Sequence, residues 1–181
     1  MIYSFSLHAI GVIAGAIVVL LSLLAIFLPA HTLLPRFPRS RTAGAVLLTI
    51  DLIWCFWLLT TMEMGEFSHF RRPLMVILPI GFFLVLSFVE EFLAVRALGI
   101  LCLLAAEPLL DAAFLRPELS RLLVVVLAYA LIIKGLLWVS LPYLLRDQID
   151  WSVKSPGRWR LLSSLGLAFG AAILVCAFVA Y

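Results

Sequence analysis

The chain has 181 residues, of which 65% are hydrophobic and 13% are charged. Soluble domains average about 45–50% apolar and about 25% charged residues, so this composition excludes a soluble globular protein. The formal net charge of +3 comes from Lys and Arg residues scattered in short gaps between apolar runs. That distribution is typical of membrane proteins, so we expect contact with membrane lipids and no binding of nucleic acid.

Six apolar runs along the chain predict an all-α, polytopic bundle of six transmembrane helices that forms one membrane domain over residues 1–181. The first run covers about residues 7–28 and stops at Pro29. It is longer than the apolar core of a signal peptide, so we expect an uncleaved first helix. The other runs are near the roughly 20 residues that one crossing requires, and they cover about residues 42–64, 73–89, 97–115, 119–145 and 159–181.

The boundary between the third and fourth runs carries the least sequence signal, because residues 90–96 contain neither Gly nor Pro. A single helix from Pro73 to Leu115 would be about 64 Å long at 1.5 Å per residue. That length is roughly twice the hydrocarbon thickness of a bilayer. We therefore predict a turn in the segment from Glu90 to Arg96, beside the paired carboxylates.

Basic residues are distributed unequally between the two sides of the predicted bundle, and the richer side is expected to face the cytoplasm. One side carries Arg36, Arg39, Arg41, Arg96, Arg146, Lys154, Arg158 and Arg160, and the other carries Arg71, Arg72, Arg116 and Arg121. Both termini are then predicted to lie on the outer, non-cytoplasmic side. The expected location is a bacterial cytoplasmic (inner) membrane.

Asp51 and Lys134 are ionisable residues inside predicted helices, where a charge costs about 2.5–3.5 kcal/mol at the bilayer centre. Counting 1.5 Å per residue places Asp51 roughly 18 Å and Lys134 roughly 21 Å below the outer surface. A paired charge avoids much of the desolvation cost. We therefore predict that the second and fifth helices are adjacent and that Asp51 pairs with Lys134.

Glu107 and Asp111 are two further ionisable residues, spaced i, i+4 on the fourth predicted helix and therefore on one face. Pro108 between them frees a backbone carbonyl one turn earlier, so we expect a kinked, hydrated acidic face that opens outward. Glu107 is a second candidate partner for Lys134. The four ionisable residues are interpreted either as a proton or ion path, or as a static Asp51–Lys134 pair with Asp111 near the outer headgroups.

Two glycine pairs have the spacing that permits close helix approach in membranes. Gly11 and Gly15 lie in the first predicted helix, and Gly166 and Gly170 lie in the sixth. We expect them to pack helices within the chain and not to mediate dimerisation.

Motifs for catalysis or cofactor binding are absent from the sequence, which has no P-loop, GxSxG, HExxH or CxxC. His8, His31 and His69 are all predicted near the membrane surfaces, so no metal or haem site is expected and no cofactor is predicted. The favoured hypothesis is a non-catalytic accessory, assembly or structural subunit with a membrane-embedded protein partner. The alternatives are a small proton- or ion-coupled transporter or channel, and an intramembrane enzyme that acts on a lipid or quinone.

Overall fold

A computed structural model describes residues 6–27, 34–88 and 92–180, and these residues form helices and turns without any strand. Six helices are long and apolar enough to cross a membrane. The α-helices are α1 (Leu7–Phe27), α2 (Arg41–Thr61), α3 (Arg71–Phe88), α4 (Leu93–Ala113), α5 (Arg121–Ser140), α6 (Tyr143–Val153) and α7 (Pro156–Val179). Two 3-10 helices, Leu34–Arg39 and Gly65–Phe70, precede α2 and α3.

Local sequence signals explain where several of these helices begin. The Ser40 hydroxyl accepts a 3.2 Å hydrogen bond from the backbone N–H of Ala43, which is the usual way that serine caps a helix N-terminus. Pro156 occupies the first turn of α7, where its missing N–H leaves no bond unmade. The indole nitrogen of Trp159 donates a 2.7 Å bond to the carbonyl oxygen of Ala25, so the start of α7 is tied to the end of α1.

The fifth helix of membrane-spanning length is shorter than predicted. It ends at Ser140 and not near Leu145, and a separate helix, α6, begins at Tyr143. Pro142 explains the break, because proline has no backbone N–H to donate a hydrogen bond and disfavours helical geometry in the preceding residue. The gap between the fifth and sixth predicted runs, residues 146–158, is therefore partly helical.

The division between the third and fourth helices falls close to its predicted place. α3 ends at Phe88, and α4 begins at Leu93 after Phe92, which has a left-handed φ of 57°. Arg96, which was expected in the turn, lies within the first turn of α4. Glu90 and Glu91 lie outside the described residues.

The centre of the bundle is α4. In its most apolar stretch 44% of residues are buried, against none in the span that contains α3. α4 packs along α5 on one face and along α2 on another, while α1 pairs with α7 and meets α4 near one end. The main helix neighbour of α3 is α2, so α3 lies at the edge of the bundle.

Glycines mark the closest approaches between helices. A Cβ built on Gly15 would lie 2.8 Å from the Leu174 side chain, and one built on Gly170 would lie 2.9 Å from Val18. Gly166 likewise faces Ser22 across the α1–α7 interface, and Gly11 is buried in α1. Three of the four predicted packing glycines, Gly15, Gly166 and Gly170, thus lie at the interface between α1 and α7.

Candidate functional site

Asp51 is the most deeply buried ionisable residue among those that the structure describes, with 2% of its surface exposed. It lies on the same face of α2 as Gly44 and Leu48, and this face packs against Leu93 and Ala97 of α4. Both oxygens of its carboxylate are enclosed and have no hydrogen-bond partner. Asp51 is therefore a polar group held in an apolar helix interface.

The predicted contact between Asp51 and Lys134 is wrong. Lys134 is exposed, and its ammonium group lies 5.9 Å from the centre of the Trp138 ring in a cation–π arrangement. The structure does not bring α2 and α5 together, because α4 presents one face to each of them. Small residues on both faces of α4, Ala97 and Gly99, allow it to fit between its two neighbours.

The two charges nevertheless lie at a common level of the bundle. Gly44 of α2 contacts Ala94 of α4, and Gly99 of α4 contacts Gly135 of α5. Asp51 lies seven residues after Gly44 on α2, and Lys134 lies one residue before Gly135 on α5. Both therefore lie beside the turn of α4 that contains residues 100 and 101. Cys102 is next to that turn on α4.

Glu107 and Asp111 line one pocket of about 380 Å³ at the surface between α4 and α5. Their shared face follows from the i, i+4 spacing. The rest of the lining includes Ala106, Phe114 and Ile132, and neither Asp51 nor Lys134 contributes to it. The four ionisable residues of the sequence prediction therefore do not line one common cavity.

A larger groove was not anticipated from the sequence. It has a volume of about 990 Å³ and lies between α1, α2, α4 and α5. Ile50, Ile53, Trp54 and Trp57 form its α2 wall, spaced i, i+3, i+4 and i+7 on one helix face. α2 is apolar on nearly every side, so these four residues do not stand out from a polar face. The spacing of apolar residues in the sequence therefore did not reveal the groove.

The histidines lie apart from these sites. His8 packs edge-on against Phe178, with ring centres 5.7 Å apart, and His69 lies 4.2 Å from Phe70. His31 lies outside the described residues. Within the described ranges no group of His, Cys, Asp or Glu side chains is arranged to hold a metal ion.

The fold defines the chain as an all-helical protein with six helices suited to crossing a membrane. Comparison with protein-family models, with curated proteins and with solved structures finds no match.

Proposed function

We propose that the chain is a non-catalytic integral membrane protein that serves as an accessory, assembly or structural subunit of a larger membrane complex. The observation that carries this proposal is the exposure of α3. None of its described residues is buried, although the helix is apolar and of transmembrane length. A helix at the edge of a bundle is available to a second membrane protein.

Gly81 singles out the face of α3 that would meet a partner. Phe82, Val85 and Leu86 pack towards α2, and Gly81 lies at the edge of this face, one turn before Val85. A Cβ added to Gly81 would meet nothing within 4 Å. At Gly15, Gly44 and Gly99, in contrast, atoms of a neighbouring helix occupy the space beside the added Cβ. Because small residues allow close helix contact in membranes, an open glycine supports an intermolecular helix contact at this position.

Mild-detergent extraction of the tagged protein from its native membrane tests the proposal. We expect a membrane protein to co-purify with the wild-type chain and to be lost from Gly81→Leu. The matched control is Ala16→Leu, which enlarges a small residue on the exposed side of α1 and should retain the partner. Purification of the wild-type chain alone, under conditions that keep known complexes of that membrane intact, would contradict the proposal.

The proposed orientation follows from the basic residues. In this orientation the ends of α1 and α7 that carry the termini face outside. α6, which contains Arg146, lies at the cytoplasmic surface together with Lys154 and Arg158, which follow it in the chain. The stacking of Arg158 on Trp151, with 4.9 Å from the guanidinium to the ring centre, is compatible with an interfacial α6. Labelling of single cysteines at Ser6 and Ser155 with an impermeant reagent in intact bacterial cells tests this orientation and the proposed cytoplasmic-membrane location: Ser6→Cys should react and Ser155→Cys should not.

A proton- or ion-coupled transporter or channel is the second proposal, and the enclosed carboxylate of Asp51 favours it. Charged groups inside transmembrane helices often mark ion pathways. The separation of Asp51 and Lys134 from the pocket of Glu107 and Asp111 argues against a continuous path. Proton flux into vesicles that contain the purified protein, abolished by Asp51→Asn, would support transport, and flux equal to that of protein-free vesicles would contradict it.

A further inference from the structure

The groove between α1, α2, α4 and α5 has a lining that is almost entirely hydrocarbon. Its volume of about 990 Å³ is at the upper end of the roughly 300–1,000 Å³ range of small-molecule sites. No charged side chain lines it, and the heteroatoms in its lining side chains belong to the Cys102 thiol and the two tryptophans. Its ligand must therefore bind through apolar contact and not through hydrogen bonds or charge.

The length of the groove corresponds to one leaflet of a bilayer. Along α1 it extends from Ile10 to Leu21, which is about 16 Å at 1.5 Å per residue. Half of a hydrocarbon core that is about 30 Å thick is about 15 Å. Ile10 lies near the start of α1 and Leu21 lies four residues past the middle of this helix. Most of the groove therefore lies in the half of the bundle at the α1 N-terminal end.

The groove opens sideways onto the apolar outer surface of the helices. Ile17 and Leu21 of α1 are 52% and 61% exposed, and Ile53 of α2 is 65% exposed, although all three line the groove. In a bilayer such a space is filled either by a hydrocarbon chain or by a helix of another protein. It is continuous with the surface that the surrounding lipid chains would cover.

The side chains of the lining distinguish these two occupants. Close helix contacts in this protein occur at glycines, including Gly15, Gly44 and Gly99. The groove instead has walls of Ile, Leu, Val and Trp, with Ala14 and Ala105 as its small residues. Such walls hold a helix backbone at a distance, whereas a thin, flexible chain can follow their irregular surface.

Charges at the same end of the bundle indicate the type of headgroup. The facing ends of α2 to α5 and the segments that join them carry similar numbers of basic and acidic side chains. These are Arg71, Arg72, Arg116 and Arg121 with Glu63, Glu66, Glu107, Asp111 and Glu118. They provide no excess of positive charge to select an anionic lipid. This mixture of charges is complementary to a headgroup that itself carries both signs.

We propose that the groove is a binding site for a hydrocarbon chain of a zwitterionic phospholipid from the leaflet at the α1 N-terminal end. The inference rests on insertion of the protein into a bilayer and is independent of whether it has a protein partner. The bound chain fills the space between the α1–α7 pair and α2, where these helices do not meet.

Fluorescence of Trp57 tests the site directly, because this residue lines the groove. A variant that retains Trp57 and carries Phe at the other four tryptophans is reconstituted in vesicles of anionic phosphatidylglycerol with increasing fractions of chain-brominated phosphatidylcholine, whose bromines quench nearby indoles. We expect quenching to saturate at a lower brominated fraction than for a variant that retains only Trp159, which bonds to Ala25 outside the groove.

Substitutions that fill the groove provide a second test of the proposed lipid site. Ala105→Phe should abolish the early saturation at Trp57, and native mass spectrometry should show loss of a retained lipid. The control is Ala171→Phe, which enlarges an exposed residue of α7 and should change neither readout. Ala14→Phe fills the groove from α1, so it replaces Ala105→Phe if that variant does not fold.

Three results would overturn the proposal. One is the same quenching curve for Trp57 and Trp159, and another is equal lipid retention in the groove-filling and control variants. The third is efficient cross-linking of Ile53→Cys to another protein in native membranes, which would show that a helix occupies the groove. Stronger quenching by a brominated anionic lipid than by brominated phosphatidylcholine would overturn the headgroup assignment.

Discussion

A Cβ atom placed on Gly44 would lie 2.7 Å from the backbone nitrogen of Ala94, so α2 and α4 are in backbone contact at this point. The contact determines how deeply Asp51, seven residues further along α2, is buried. It also leaves no room for a side chain, because the nearest atom belongs to the backbone and cannot rotate away.

Gly44→Val should therefore lower the thermal stability of the bundle. Overpacking of a tight interface costs about 1–3 kcal/mol, and here α2 would have to move away from α4. The measurement is thermal unfolding of the purified protein in detergent. Gly81→Val is the matched control, since its Cβ meets nothing within 4 Å, and an equal loss of stability in both variants would contradict the expected difference.

Gly15→Leu should separate α1 from α7 without changing the oligomeric state. The Leu174 side chain and backbone lie within 3.1 Å of a Cβ at this position, so a leucine cannot be accommodated without displacement of a helix. We expect a lower unfolding temperature and an unchanged mass by light scattering. A shift from dimer to monomer with unchanged stability would instead show that Gly15 mediates contact between chains.

Trp159→Phe should destabilise the protein by about 0.5–1.5 kcal/mol, the usual net value of a hydrogen bond. Phenylalanine retains most of the ring but leaves the carbonyl oxygen of Ala25 without its 2.7 Å bond. Trp151→Phe is the comparison, because Trp151 is exposed and stacks on Arg158. An effect of Trp151→Phe as large as that of Trp159→Phe would argue against this hydrogen bond as a main link between α1 and α7.

Asp51→Asn and Lys134→Met should act independently on stability. The two side chains contact different surroundings, with Asp51 enclosed between α2 and α4 and Lys134 exposed near Trp138. Independent sites add to within about 0.3–0.5 kcal/mol. A double-mutant cycle by thermal unfolding measures this, and a coupling energy well above that range would mean that the two charges pair directly in the folded protein.

Asp51→Asn alone should leave stability unchanged or raise it. An enclosed carboxylate without a hydrogen-bond partner is costly in an apolar environment, and the amide has the same shape without the charge. The same thermal measurement tests this prediction, with Asp147→Asn as a control at an exposed carboxylate. A large loss of stability would show that the charge of Asp51 is itself stabilising.

The sequence predicted the number of membrane-length helices because long apolar runs and short polar gaps report directly on the cost of placing polar groups in a bilayer. The end of α5 is marked in the sequence by a proline and not by the end of the apolar run. Pro142 ends α5 and allows α6 to form, yet the apolar run continues through Leu144 and Leu145 and suggested a longer helix.

Helix neighbours were less accessible to prediction than helix positions. In a soluble helix the polar face reveals which side is buried, but lipid-facing and protein-facing sides are both apolar here. Counting 1.5 Å per residue along the helices places Asp51 and Lys134 at one level of the bundle, and the contacts of Gly44 and Gly99 agree with that level. Depth says nothing about angular position, and so it could not reveal that α4 lies between their helices.

The pairing of α1 with α7 joins helices from opposite ends of the described chain. During synthesis the α4–α5 hairpin has its partners available as soon as Ser140 has entered the membrane. The face of α1 that carries Gly15 and Val18 must wait until Gly170 and Leu174 have been inserted. We therefore expect α1 to remain a loosely held helix for most of biogenesis, and the final step of assembly to be the arrival of α7.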